Sequence, residues 1–140
     1  MRARHTLQPP MTAEEARLLS PLQLAYVGDS VHALLARTGL MEKGLRVRDM
    51  HAAANRAVSA VSQARELQRI APLLTEEEES VVRRGRNAHP HHGAPRSATV
   101  GEYAGATGLE ALLGYLYLTG RAERIAELAV YLGSEEEDHA

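Results

Sequence analysis

Hydrophobic positions recur along most of the chain at the three- and four-residue spacing of amphipathic helices. Four capping boxes, each a Ser or Thr with Glu or Gln three residues later, begin at Thr12, Ser20, Thr75 and Thr99. No segment alternates with the two-residue period of a β-strand. The pattern predicts helices over 21–38, 47–57 and 59–71, a helix capped by Thr75 that carries Arg83 and Arg84, a loop over 88–98, and helices over 99–118 and 121–132.

The segment 21–38 is apolar around its whole circumference. One stripe contains Leu24, Val27, Val31, Leu34 and Leu35, and the opposite side contains Leu22, Ala25, Tyr26, Ala33 and Ala36. Helices of this kind are buried on both sides, so we expect one side to face the core and the other a second copy of the chain. Tyr26 is a candidate for this interface, and packing within its own chain is the alternative. Asp29 is expected within this second face, beside Gly28. His32, three residues later, either orients that carboxylate or is an ordinary interior histidine.

The segment 99–118 repeats this arrangement. Glu110 is its only acid after the first turn, and Gly101, Gly105 and Gly108 form a strip that another helix can approach. Two carboxylates on two buried helices, Asp29 and Glu110, can converge on Mg²⁺, which takes oxygen ligands and polarises phosphodiesters. The alternative is that each carboxylate pairs with an interior arginine.

Composition supports packed helices. Of 140 residues, 44% are hydrophobic and 4% aromatic, all five of the latter Tyr, so Leu, Val and Ala must fill the core. The absence of Cys excludes disulfides, thiolate zinc sites and a cysteine nucleophile. No apolar run reaches the roughly 20 residues of a membrane span, and the N-terminus lacks a secretory pattern, so a cytoplasmic protein is expected. We expect one all-α domain over 1–140, with a core over about 12–133 and an acidic tail over 134–140.

Although the net charge is −2, most of the chain is basic. Eight acids lie in two runs, 76–79 and 135–138, and the rest of the chain has 16 basic and 10 acidic residues. Fifteen of the basic residues are Arg, whose planar guanidinium suits phosphate. The candidates for contact with a nucleic-acid backbone are Arg83, Arg84, Arg86 and Asn87, with Arg96 across the loop. The alternative is that these arginines offset the run 76–79 and the helix dipole.

Three blocks resemble the ribonuclease III family, and most closely its short form, Mini-ribonuclease III. They are Leu24-Ala-Tyr-Val-Gly-Asp-Ser-Val31, Arg83-Arg-Gly-Arg-Asn-Ala88 and Thr107-Gly-Leu-Glu-Ala-Leu-Leu-Gly-Tyr-Leu-Tyr-Leu118, with a weaker fourth block over 58–64. The resemblance implies an all-helical endonuclease domain that dimerises through the helix over 21–38. Each of its two sites would cut one strand of double-stranded RNA with Mg²⁺.

The resemblance also implies which residues act. Asp29 matches the family's aspartate on the dimerising helix, and Glu110 matches the glutamate of the later helix. Full-length members have two further acids, where this chain has Ala25 and Thr107, as is usual in the short form. The short form also lacks the separate double-stranded RNA-binding domain, and only eight residues follow Leu132 here.

The function that the resemblance implies is maturation of 23S ribosomal RNA from its precursor, leaving 5′-phosphate and 3′-hydroxyl ends. A large-subunit ribosomal protein assists some family members. The missing acids motivate a second hypothesis, a catalytically inactive RNA-binding or ribosome-assembly protein on the same fold. The histidines at 89, 91 and 92 lack the spacing of a helical metal pair, and their role stays open between an RNA-facing loop and a metal site.

Overall fold

The computed structural model describes residues 11–88 and 99–133. In these two stretches the α-helices are α1 (Ala13–Arg17), α2 (Pro21–Gly39), α3 (Val47–Ala57), α4 (Ala60–Ile70), α5 (Glu76–Arg86), α6 (Val100–Leu118) and α7 (Ala122–Ala129). Short 3-10 turns, Met41–Lys43 and Ala71–Leu73, follow α2 and α4. No strand occurs among these residues, and the all-α prediction is confirmed.

The helix starts are set by local hydrogen bonds. At Thr12, Ser20, Thr75 and Thr99 the hydroxyl accepts from the N–H three residues on, while the Glu or Gln there accepts from the capping residue's own N–H. At the other end of α6, Gly120 adopts a φ of 74°, and the N–H of Arg121 donates to the Leu116 carbonyl. The predicted end of the last helix was wrong, because α7 ends at Ala129 rather than 132.

α6 is the central helix of the fold, with α2, α4, α5 and α7 packed around it. Its fully buried side chains are Leu109, Ala111, Leu112, Leu113, Tyr115 and Leu116. A helix enclosed by neighbours has no solvent-facing side to make polar. The apolar circumference of this segment is therefore explained within one chain. No helix in the described part of the chain combines the length and apolarity needed to cross a membrane.

α2 and α6 cross with their backbones in direct contact. A Cβ at Gly28 would overlap the Glu110 carbonyl oxygen and lie 2.8 Å from the Gly114 nitrogen. A Cβ at Gly114 would overlap the Leu24 carbonyl oxygen and lie 3.0 Å from the Gly28 nitrogen. Only glycine fits at both points, since the side chain of any other residue would occupy the partner's backbone.

This crossing corrects the predicted faces of α2. The buried residues are Leu24, Ala25, Gly28 and His32. Ala25, assigned to the partner-facing side, lies in the core, whereas Leu34, assigned to the core stripe, is 62% exposed. Asp29 is exposed rather than buried in an apolar face. The cause is the rotation of α2 that puts Gly28 against α6, because it turns the residues one helical turn before and after Gly28 inward and leaves Asp29 exposed.

The predicted small-residue strip on α6 is used at two of its three glycines. A Cβ at Gly105 would lie 3.2 Å from the Ala64 Cβ of α4, and one at Gly108 would lie 3.0 Å from the Val82 carbonyl of α5. On the facing side of α5, a Cβ at Gly85 would lie 2.9 Å from the Gly108 Cα. Gly101 has no neighbouring helix within 4 Å. These contacts place α4 and α5 on either side of the segment that precedes Glu110.

Candidate active site

Asp29 and Glu110 meet where α2 crosses α6. Asp29 follows Gly28, and the Glu110 main chain is the part of α6 that Gly28 contacts. The two carboxyl groups are close enough to form a hydrogen bond with each other. Asp29 is exposed and Glu110 is half-buried, so the pair opens towards solvent on one side. The backbone contact at the glycines thus brings together two acids that lie far apart in the chain.

The electrostatics of the pair are those of two acids that compete for one proton. Burial of Glu110, its hydrogen bond to Asp29 and the negative charge of Asp29 together raise the pKa of Glu110 to about 8. A hydrogen bond from Gln63 acts in the opposite direction, towards a lower pKa. Glu110 therefore holds a proton at neutral pH until a cation or another charge takes its place.

The two carboxyl groups could be neutralised by an arginine or by a cation. Among the described residues, no arginine forms a salt bridge with Asp29 or Glu110, and the arginine alternative is not what this part of the structure shows. A group of three His, Cys, Asp or Glu that could hold a metal is likewise absent from residues 11–88 and 99–133. Two carboxylates suffice for Mg²⁺, which keeps several waters and accepts substrate phosphate oxygens at its other positions. The donor set fits a hard divalent ion.

The two positions where the family resemblance implies further acids in full-length members take no part in the pair. Ala25 is buried in the core. Thr107 is buried on α6, and its hydroxyl donates to the Tyr103 carbonyl of its own helix at 2.9 Å. Neither residue supplies an additional carboxylate, so the site consists of one acid from each of two helices.

Gln63 is a site residue that the sequence analysis missed. It lies on α4 with 2% exposure, and its Nε2 donates to Glu110 Oε2 at 3.4 Å. The signal was limited to the weak family block over 58–64, where a single Gln has no periodic or motif meaning. Gln63 could have been recognised as a polar residue on the buried side of an amphipathic helix.

His32 is an interior histidine rather than a neighbour of the site. Its Nε2 lies 2.8 Å from Glu66 Oε1, and both side chains are buried. Glu66 also accepts from the Gly133 N–H at 2.9 Å. The interaction joins α2, α4 and the end of the described chain, so its role is structural.

The basic end of α5 lies beside the segment of α6 that carries Glu110. Arg83, Arg86 and Asn87 are exposed. A Cβ at Gly108 would lie 2.9 Å from the Arg86 Cγ, which places the stem of Arg86 over α6 two residues before Glu110. Arg84 is half-buried and donates to the Leu19 carbonyl at 3.0 Å, so it also holds the turn before α2.

Two of the four acids in the run 76–79 pair with arginines at the start of α7. Arg121 donates to Glu77 at 2.9 Å, and its guanidinium, with the Tyr115 hydroxyl, lowers the pKa of Glu77 to about 2. Arg124 donates to the buried Glu78 at 2.8 Å and lowers the pKa of that carboxyl. Glu77 and Glu78 are thus paired with Arg121 and Arg124, and not with the arginines at the opposite end of α5.

Tyr26 is 83% exposed on α2. Leu22 and Leu34 on the same helix are 39% and 62% exposed, so Tyr26 is not packed within the described part of the chain. Arg96 and the histidines at 89, 91 and 92 lie outside the described residues.

The raised pKa of Glu110 predicts a pH-dependent cost to stability. In the metal-free protein Glu110 keeps its proton up to about pH 8, whereas the unfolded chain loses it near 4.5. The folded state therefore binds more protons between these values, and stability falls as pH rises through this window. In EDTA, Glu110→Gln is expected to be more stable than the wild type by about 2 kcal/mol at pH 8. The effect of the pKa shift on the free energy of unfolding is reduced to this size because Glu110 is only partly buried.

Urea denaturation from pH 5 to pH 8.5 measures this difference. The gain should be close to zero at the acid end and grow with pH. Glu123→Gln, at an exposed position on α7, is the matched control and should give no trend. A gain that does not change with pH would contradict the assignment.

The sequence of this chain is similar to those of known ribonucleases. Residues 22–121 match the Ribonuclease III domain family. Mini-ribonuclease 3 of Symbiobacterium thermophilum is 54% identical over 111 residues, which cover 79% of this chain and 85% of that protein. Mini-ribonuclease 3 of Brevibacillus brevis is 45% identical over 123 residues, which cover 87% and 91%.

A crystal structure of a Fusobacterium nucleatum protein superimposes with a TM-score of 0.77 at 30% identity, covering 87% of this chain and 98% of that one. The matched family segment begins just after the start of α2 and ends just after α6, so it contains both carboxylates and the helix crossing between them. The chain belongs to the ribonuclease III family of endoribonucleases, among the relatives named Mini-ribonuclease 3.

Proposed function

We propose that the chain is a cytoplasmic homodimer that cleaves double-stranded regions of precursor 23S ribosomal RNA, with Mg²⁺ held by Asp29 and Glu110. The observation that carries this proposal is the convergence of these two carboxylates without a neutralising arginine in the described part of the chain. The family match supports action on double-stranded RNA, and the resemblance to the short family form supports the ribosomal substrate. A large-subunit ribosomal protein is a candidate helper.

The carboxylates and the basic residues of the site would have different roles. Asp29 and Glu110 would hold the cation, and Glu110 would do so in its ionised form. The bound ion would polarise the scissile phosphate and favour attack by water, leaving 5′-phosphate and 3′-hydroxyl ends. Arg83, Arg86 and Asn87 contact the duplex backbone beside the site, with Arg96 and Arg84 as further candidates.

Cleavage of precursor 23S ribosomal RNA tests the proposal. The purified chain is incubated with the precursor in Mg²⁺ or in EDTA, and the ends are mapped by primer extension and by ligation that requires a 5′-phosphate. Discrete cuts in paired stems, in Mg²⁺ only, are expected. Cuts confined to single strands would contradict the proposal, and retention of duplex without any cut would favour the inactive RNA-binding alternative.

The proposed homodimer predicts the effect of a charge on the exposed face of α2. Tyr26→Asp is expected to shift the protein to a monomer in sedimentation velocity, because a carboxylate would have to be buried between the two copies. Val130→Asp, at a residue 73% exposed outside α2, should leave the association unchanged. A Tyr26→Asp protein that sediments like the wild type would exclude this interface.

Contact with RNA phosphates predicts a change in salt dependence. The Arg83→Ala/Arg86→Ala variant is expected to bind a duplex more weakly, and the slope of log K against log salt should fall by about 1 for each arginine. Arg17→Ala is the control, because Arg17 lies on α1 and pairs with Glu77 near the other end of α5. Arg84 is left unchanged since it supports the fold. Equal slopes in filter binding would remove these residues from the RNA interface.

A further inference from the structure

The Gln63 amide joins the end of α3 to the carboxylate pair. Its Nε2 lies 3.0 Å from the carbonyl oxygen of Val58, the residue that follows α3. The same nitrogen lies 3.4 Å from Glu110 Oε2. One buried side chain on α4 thus contacts both a main-chain atom outside the site and a carboxylate within it.

The orientation of this amide is set by the main chain. A carbonyl oxygen can only accept, so the NH₂ end of the amide must face Val58. The NH₂ group has two hydrogens, and the second is available to the Glu110 oxygen. The donor that faces Glu110 is therefore held in place by a backbone atom whose own position does not depend on the site.

The other end of the amide is not satisfied by the described residues. Gln63 Oε1 is buried and has no hydrogen-bond partner among them. An unpaired buried oxygen disfavours folding, and an apolar side chain of the same length would avoid this cost. Core stability alone does not explain why an amide occupies this position.

We propose that Gln63 is a positioning residue for the cation site. It holds the Glu110 carboxylate towards Asp29, and its Oε1 accepts a hydrogen bond from a water in the hydration shell of the cation. Covalent geometry places Oε1 within roughly 6 Å of Glu110 Oε2, which is within reach of such a water. Outer partners of this kind orient metal ligands and tune metal affinity. This inference rests on the proposed function.

Gln63→Met tests the role, because Met keeps the unbranched length and removes the amide. Gln68→Met is the matched control, since Gln68 is exposed on the same helix. Binding of Mn²⁺ as a probe cation is followed by the electron paramagnetic resonance signal of the free ion. Thermal melting in EDTA and kcat and KM for a duplex in Mg²⁺ are measured on the same samples.

A roughly tenfold weaker affinity for Mn²⁺ and a similar fall in kcat are expected for Gln63→Met, with KM for the duplex and the melting temperature maintained. In a Glu110→Gln background the same change should have no further effect on Mn²⁺ binding, because the carboxylate it acts on is gone. If Gln63→Met does not fold at 25 °C, Gln63→Asn, which keeps the amide one methylene shorter, is measured instead, and a smaller loss in the same quantities is expected.

Wild-type affinity and kcat in the folded Gln63 variant would overturn the inference, and so would an equal loss in Gln68→Met. A fall in melting temperature that accounts for the whole loss of binding would also overturn it. The two proposals fail separately: if the wild type binds no Mn²⁺ and cleaves no duplex, the proposed function is wrong, whereas unchanged binding in Gln63→Met refutes only this inference.

Discussion

Replacing Asp29 with Asn, or Glu110 with Gln, is expected to reduce the rate of duplex cleavage in saturating Mg²⁺ by at least about a thousandfold. Either change removes one of only two carboxylates at the proposed cation site. With one ligand left, the cation would be held weakly and no longer fixed between α2 and α6. Because the two residues act as a unit, the double variant should lose little more than either single variant.

Single-turnover cleavage of a labelled duplex measures the effect. Glu123→Gln, which removes one negative charge at an exposed position of α7, should retain wild-type activity. Thermal melting distinguishes a loss of catalysis from a loss of the folded structure. Glu110→Gln should melt no lower than the wild type in EDTA. Cleavage within tenfold of the wild-type rate by either variant would remove that residue from the site.

Gly28→Ala is expected to destabilise the protein by about 3 kcal/mol or more, because the new methyl group would overlap the Glu110 carbonyl oxygen. Backbone cannot move aside as a flexible side chain can, so α2 and α6 must separate. Gly114→Ala should have a similar effect, since its methyl would overlap the Leu24 carbonyl oxygen. Separation of the helices also moves Asp29 away from Glu110, so any folded fraction should bind cations weakly.

Gly39→Ala provides the matched control on the same helix. A Cβ at Gly39 meets nothing within 4 Å, so this substitution should be neutral or stabilise α2 by up to about 1 kcal/mol. Circular dichroism melting should place Gly28→Ala roughly 10 °C or more below the wild type and Gly39→Ala at or slightly above it. Similar melting temperatures for the two variants would contradict the close crossing of α2 and α6.

Most of the residues of the candidate site could be predicted from the sequence, but their arrangement in space could not. Asp29 stood out as the only acid of α2 and Glu110 as the only acid of α6 after its first turn, and the structure does bring them together. Gln63 did not stand out, since nothing local to α4 indicates that Val58 and Glu110 would lie on either side of it. Arg84 was grouped with its neighbours although it supports the turn at Leu19. Such assignments depend on distant parts of the chain.

The helical class, the helix starts and the apolar character of α6 could all be predicted from the amino-acid sequence. Capping boxes act through hydrogen bonds that span three residues, and helical periodicity is complete within a few turns, so both can be read locally. Three features became evident only from the packing of the helices: the buried face of α2, the exposure of Asp29 and the raised pKa of Glu110. These depend on the close approach at Gly28 and Gly114, because a helix apolar on all sides has no preferred rotation until a neighbour selects one.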